Sequence, residues 1–339
     1  MNKKLFTLII ITALWAHTAF AQYFTIRAAG GYAWGGFVKS EGITGPKIDP
    51  YSPDKDGLVP MADMNDSVPS IKTIYGSYGK GMNFTLGLGY MINPYIGVEM
   101  GISYLKSATF SCDQTRELTI QTGFGQPPAF SGVGQYMKAH VETNAFGLSL
   151  MPSLIIKGAK PGWKVYPYGR LGISLPVYGA LTHNITIDVP DTTFLPLISG
   201  SPYFLGKHVD VKLKTEGTVS IGFNGAVGVA YNPLPYLSVF AEVNGQYLVT
   251  RAKTAKIEKW ETDGKDRIAD RGVYRTEFNF VDQLSNNSNN EDYNSATDKT
   301  KPKDDLRPNA PFNNIGLNVG VTFMLSKKIL SKKKDESKK

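Results

Sequence analysis

One pattern recurs along this chain: apolar residues at every second position, in runs bounded by connections that are by turns short and long. From Asn83, the residues Phe84, Leu86, Leu88 and Tyr90 alternate with Thr85, Gly87 and Gly89. After Asn93-Pro94, Ile96, Val98, Met100, Ile102 and Tyr104 alternate with Gly97, Glu99, Gly101 and Ser103. A period of two with one apolar face predicts a hairpin of two strands. Phe146 to Ile156 and Leu171 to Val177 make a second hairpin around Gly158–Gly162, and Val219 to Tyr231 and Leu237 to Val249 make a third around Asn232-Pro233-Leu234-Pro235. Phe24 to Trp34 and Ile315 to Phe323 supply single strands at the two ends, for a total of eight.

The connection lengths decide what eight such strands build. Short connections lie near residues 91–95, 157–163 and 232–236, and long polar ones near 38–79, 111–137, 182–215 and 255–312. A soluble sandwich has no reason to lengthen every second connection, whereas a membrane barrel has short periplasmic turns and long extracellular loops. Eight apolar faces on a soluble protein would also need a covering layer, and no helical segment is available to supply one. The expected fold is therefore all-β: a transmembrane antiparallel up-and-down β-barrel of eight strands over residues 22–325, with both termini periplasmic. A ten-stranded alternative adds Thr254–Trp260 and Arg271–Val281, which otherwise form a hairpin across Asp263-Gly264, standing above the membrane. The first of these is short, and Lys256, Glu258 and Lys259 disfavour it as a spanning strand.

The chain ends fit an exported protein. Lys3 and Lys4 precede an apolar run from Leu5 to Trp15, and Ala19-Phe20-Ala21 offers small residues to a signal peptidase, so residues 1–21 are expected to be a signal peptide cleaved before Gln22. The residue directly after the expected cleavage is Gln22 and not Cys, which argues against a lipoprotein. No later segment reaches the ~18 apolar residues of a spanning helix. The formal charge of +8 falls to +6 without Lys3 and Lys4, and residues 326–339 carry seven Lys against Asp335 and Glu336. The basic excess thus lies in a basic periplasmic tail, and with no basic stripe in the body of the chain no nucleic-acid partner is expected. The single Cys112 excludes a disulfide framework.

Two sets of side chains stand out against this frame. Tyr90, Tyr95, Trp163, Tyr231 and Tyr236 fall at short-turn ends, and Trp34 falls toward a long-loop end, as aromatic girdles at two membrane interfaces would. On the opposite phase lie Arg27, Glu99, Arg170 and Glu242, one on each upward strand and at similar depth. The interior of an eight-stranded barrel is just wide enough for side chains to fill, so two Arg and two Glu there read as a charge-balanced plug. Asn224, Asn244, Gln246 and Asn318 are available for the remaining donors. The many inward glycines, Gly87, Gly101, Gly147 and Gly172 among them, favour the alternative of a polar gate in a narrow channel.

Catalysis finds little support. His140, His183 and His208 are dispersed and lack metal-ligand spacing. Gly123-Phe124-Gly125 precedes two prolines and no helix, so it is no phosphate cradle, and the acidic residues from Asp49 to Asp66 lack the spacing of a calcium hand. No catalytic, cofactor or metal site is expected. The last long connection holds Asn286-Asn287-Ser288-Asn289-Asn290 and a run of alternating charges to Arg307, poor enough in apolar residues to be expected mobile.

The signal peptide, eight alternating strands and loop-length alternation together resemble the small outer-membrane β-barrels of the OmpA and OmpW type, and the Gly-rich strands resemble the barrel domains of Bacteroidetes. The resemblance covers the mature chain through architecture, with no diagnostic motif. Phe323 stands in the terminal strand but is followed by Met324-Leu325 and the tail, a departure from the family's terminal aromatic, and no peptidoglycan-binding domain is expected to follow. His183-Asn184-Ile185-Thr186 does not match the His-x-Ser pattern of the lipid A deacylase barrels. The resemblance implies partners in outer-membrane lipid, lipopolysaccharide and the barrel insertion machinery. Two functional readings follow: a non-enzymatic barrel anchoring surface loops for envelope integrity, adhesion or contact with an unknown extracellular ligand, or a small porin or OmpW-like conduit for small or hydrophobic solutes. In a third, the chain is an assembly accessory whose basic tail meets acidic periplasmic partners.

Overall fold

A computed structural model describes residues 23–35, 44–47, 57–60, 62–65, 70–73, 76–118, 135–158, 163–189 and 207–326. The expected signal peptide and all but the first residue of the basic tail lie outside the described residues. Eight strands close on themselves: β1 (Tyr23–Gly35), β2 (Gly81–Met91), β3 (Ile96–Ser107), β4 (Gln135–Lys157), β5 (Val165–Val189), β6 (Gly222–Leu234), β7 (Leu237–Tyr247) and β8 (Asn314–Ser326). Each pairs antiparallel with its neighbours, and β8 returns to β1 from Tyr23↔Ser326 to Gly35↔Asn314, so no edge is left in the ring. The ten-stranded alternative does not form, because Val249–Thr262 and Glu277–Val281 stand outside the closed ladder.

Alternation explains the wall. In β2, Met82, Phe84, Leu86 and Leu88 point outward and the residues between them are buried; in β3, Val98, Met100 and Ile102 point outward around buried Glu99. Leu86, Leu171 and Val319 are 62%, 67% and 66% exposed, and such residues continue around the ring. An apolar band this continuous is covered by lipid, not water. At the short-turn end, Asn93 Oδ1 accepts from the backbone N–H of Tyr95 and Ile96 at 2.8 and 2.7 Å, a local side-chain turn that closes β2 onto β3.

β4 and β5 have 23 and 25 residues, where about 9–11 span a bilayer. Their surplus rises beyond the long-connection end of the barrel and carries the same sheet upward. Phe110–Leu118 pairs with β4, Lys207–Gly217 with β5, Val249–Thr262 with Lys207–Gly217, Glu277–Val281 with Val249–Thr262, and Lys303–Leu306 runs parallel to Glu277–Val281. Much of what reads as loop in the long connections is therefore strand. The inner face of this raised sheet has its own core, including Val141, Ile185, Ile187, Val209, Val211, Ile257, Trp260 and Phe278.

A bulge on β5 makes the transition. Pro176 pairs with Ser149 and Tyr178 with Leu148, leaving Val177 as an extra residue. Below it the inward residues are even-numbered, through Arg170 and Ser174; above it they are odd-numbered, through Leu181, His183 and Ile185. At the same level β5 exchanges neighbours, pairing with β6 up to Ser174 and with Lys207–Gly217 from Ala180. The wall forks there.

Two further segments differ from the sequence reading. Arg271–Val281 is strand only from Glu277; Val273–Thr276 forms one helical turn, started by Gly272 at φ 72° and held by Thr276 Oγ1 donating to Gly272 O at 2.9 Å. The Asn-rich segment expected to be mobile is instead built around its polar side chains. Asn289 Nδ2 donates to the carbonyls of Asp298 and Pro302 at 3.0 and 2.9 Å, its Oδ1 accepts from Asp298 N at 2.8 Å, and Asn290 Nδ2 donates to Asp304 O at 2.8 Å. Counting apolar residues overlooks a segment in which Asn side chains satisfy the backbone.

Candidate functional site

The lumen charges belong to one buried chain of contacts. Upward strands β1, β3, β5 and β7 each turn one ionisable residue inward, because each has a polar residue on the phase opposite to its lipid-facing row. Arg27 Nη2 donates to Glu242 Oε2 at 2.5 Å, Arg170 Nη2 to Glu242 Oε1 at 2.8 Å, and Arg170 Nη1 to Glu99 Oε1 at 2.9 Å. The side chains of all four are at most 5% exposed. Arg170 thus bridges the two carboxylates, and Glu242 bridges the two guanidiniums. Charges so deep cost several kcal/mol each to desolvate unless they are paired and hydrogen-bonded.

Two residues that the sequence pattern does not single out, Tyr168 and Phe240, complete the cluster. Tyr168 Oη donates to Glu242 Oε2 at 2.8 Å and accepts from Arg27 Nη2 at 3.2 Å. The Arg27 guanidinium lies over the Phe240 ring, 3.8 Å from its centroid, a cation–π contact. Tyr168 and Phe240 precede Arg170 and Glu242 by two residues on the same inward phase, which is the signal that locates them. Asn318, a reserve donor in the sequence reading, reaches Glu242 Oε1 at 3.4 Å, whereas Asn224 and Gln246 bond Ser153, Ile173 O and Ser174 instead. Asn244 Oδ1 has no partner among the described residues.

Inward glycines make room for this cluster. A Cβ on Gly87 would lie 2.8 Å from Glu99 Cδ, one on Gly228 would lie 2.8 Å from Glu242 Cβ, and one on Gly320 would lie 2.5 Å from Phe240 Cζ. Space that looks vacant in the sequence is occupied by a neighbour's side chain.

The aromatic set lies at the two rims. Tyr95, Trp163, Tyr231 and Tyr236 are exposed at the short-turn end, Tyr90 beside them has its ring 5.1 Å from that of Phe24, and Trp34 is exposed at the opposite rim, paired with Ile315.

Above the barrel, the raised sheet's outer face is charged in both signs. Lys212–Glu258, Lys256–Glu277 and Lys259–Glu261 are paired at 2.7–2.8 Å. His140 and His208 each meet an aspartate at 2.6 Å, Asp113 and Asp188, and these hydrogen bonds hold both imidazoles above the usual histidine range. His183 points the other way. It is fully buried, takes a 2.8 Å hydrogen bond between Nδ1 and Thr143 Oγ1, and burial pushes its pKa down to about 3. Among the described residues, no group of three His, Cys, Asp or Glu is placed to hold a metal ion.

No protein-family model and no curated protein matches this chain. Among solved structures, the chain is similar to that of Ail, the attachment invasion locus protein of Yersinia pestis, in complex with the heparin analogue sucrose octasulfate, at 10% identity and a TM-score of 0.26, covering 91% of this chain and 100% of that one. A superposition this loose carries no argument about fold or ligand. The closed ladder and its lipid-facing band do: the chain is an outer-membrane-type β-barrel.

Proposed function

We propose that this protein is a non-enzymatic outer-membrane anchor: a barrel with a closed lumen that holds a folded, charged β-sheet outside the cell for ligand contact or envelope integrity. In this reading the long-connection end is extracellular and both termini are periplasmic. The observation that carries it is the buried Arg27–Glu242–Arg170–Glu99 chain lying beneath a sheet with its own core. A lumen crossed by four paired charges, with Tyr168 and Phe240 packed among them, is filled by protein. The aromatic rims contact outer-membrane lipid and lipopolysaccharide, the strand ends engage the barrel insertion machinery, and the raised face meets the extracellular ligand.

Conductance across a planar bilayer tests this. The refolded mature protein, shown to be folded by heat-modifiable gel mobility, is expected to give no current steps, and Arg170→Met is expected to give them. Discrete steps in the wild type would overturn the closed lumen and favour the solute conduit. One observation favours a part of that second reading, the fork in the wall above Ser174, which opens sideways and not along the barrel axis.

A further inference from the structure

At the fork lies a cavity of ≈ 100 Å³. Its lining mixes the two sides of the wall, which ordinary strand pairing keeps apart. Leu105, Leu248 and Phe312 are buried interior residues, whereas Val177, Tyr178 and Val219 are 49–77% exposed on the side that faces lipid. The opening exists because β5 has left β6 at Ser174 and joins Lys207–Gly217 only at Ala180, while Pro176 contributes no N–H to either ladder. The exposed aromatics Tyr178 and Tyr247 place it at the level of the membrane interface.

Two observations say that this space is unfilled by the described residues. Gly147 lines it, and a Cβ built there meets nothing within 4 Å, in contrast to the crowded Gly87, Gly228 and Gly320 below. Thr215 also lines it, is 2% exposed, and its hydroxyl has no hydrogen-bond partner among the described residues. A buried hydroxyl without a partner costs about 1–3 kcal/mol, and a ligand atom able to hydrogen-bond would remove that cost.

We propose that the fork cavity binds the polar head of one uncharged single-chain amphiphile, with Thr215 as its hydrogen-bond partner and the chain trailing outward past Val177, Tyr178 and Val219 into the bilayer. Size limits the occupant, since a dry cavity of about 150 Å³ holds a molecule like benzene. The fork cavity is smaller, so it takes a head group of a few heavy atoms and no complete solute or two-chain lipid. Charge limits it further. The one cationic side chain in the lining, Arg251, is exposed and directed to Asp282 at 2.6 Å, so a carboxylate head would be desolvated without a counter-ion. A fatty alcohol, whose head is a single hydroxyl, meets both limits.

Native mass spectrometry of the full mature protein, released from phosphatidylcholine nanodiscs doped with oleyl alcohol, provides the test. One retained oleyl alcohol per wild-type chain is expected. Thr215→Val, which keeps the side chain's shape, is expected to weaken retention about fivefold, the equivalent of one neutral hydrogen bond. Gly147→Leu, which fills the cavity, is expected to abolish it, with heat-modifiable mobility showing that both variants are folded. No retained oleyl alcohol, equal retention in wild type and Thr215→Val, or stronger retention of oleate at pH 9 or of phosphatidylcholine would each overturn the proposal.

Discussion

Arg170 is the residue on which the lumen cluster depends most, because it is the only one of the four that touches both carboxylates. Removing one partner from a buried pair leaves an uncompensated charge and costs about 3–5 kcal/mol. Arg170→Met is therefore expected to lower the urea midpoint and the temperature at which heat-modifiable mobility is lost, by more than Tyr168→Phe, which removes only the phenol's hydrogen bonds to Glu242 and Arg27. Equal midpoints for wild type and Arg170→Met would show that the cluster adds nothing to stability. The histidines act at the other end of the molecule and with opposite signs. His183, held to about 3 by burial, binds fewer protons folded than unfolded between that value and the ordinary ~6.5. Its contribution to the raised sheet is complete above about pH 6.5 and is lost as pH falls, by an amount on the order of a few kcal/mol. His140 and His208, raised by their aspartates, contribute in full below ~6.5 and lose that contribution as pH rises through their folded values, but both are exposed and solvent screens them. Acidification from pH 7 to 4.5 is thus expected to speed hydrogen exchange in the raised sheet, after correction for intrinsic rates, and His183→Gln is expected to remove most of that acceleration.

At the scale of elements, the bulge at Val177 sets which residues of β5 face the upper core. Because side-chain direction alternates with a period of two, one residue more or less turns every later side chain over. Deleting Val177 is expected to turn Leu181, His183 and Ile185 outward while Arg170 keeps its place. Limited proteolysis should then cleave within residues 207–306 under conditions that leave wild type whole, with the barrel still heat-modifiable. Resistance equal to wild type would show that the sheet does not need the shift. This bulge also marks where the sequence ceases to be readable. Alternation in β2, β3, β6, β7 and β8 survives because one face meets lipid throughout, so outward Leu and Val announce themselves. Above Val177 both faces of β5 change company: the inner one packs on Val209 and Val211, and the outer one carries Thr182, Asn184 and Asp188, so polar residues that look like loop are the outward side of a strand. Lys207–Gly217 is hidden for the same reason, by Lys212, Lys214 and Glu216 on its outer row. The lumen residues were legible because charge on the inward phase of a narrow barrel has few explanations, whereas Tyr168 and Phe240, inward but aromatic, resembled any other strand residue. Asn289 was illegible because its role depends on backbone carbonyls that the sequence does not bring together until Asp298 and Pro302 have folded back on it.

For the whole molecule, the two ends of the barrel differ enough that orientation has measurable consequences. One end closes in tight turns such as Asn93–Ile96, and the other lifts a sheet with a separate core that begins at the edge of the apolar band. Barrels of this architecture keep short turns on the periplasmic side, an orientation in which the larger end crosses the membrane during insertion. Cysteine labelling separates the two orientations, because the native Cys112 is 2% exposed and contributes little background. Lys253, exposed on the outer row of Val249–Thr262, and Pro235, exposed in a short turn, mark the two ends. In intact cells a membrane-impermeant maleimide is expected to modify Lys253→Cys and to leave Pro235→Cys unmodified until the outer membrane is permeabilised. The reverse pattern would place the raised sheet in the periplasm, where it would face peptidoglycan and envelope proteins in place of an external ligand, and the anchor reading would have to be rebuilt around a partner inside the envelope.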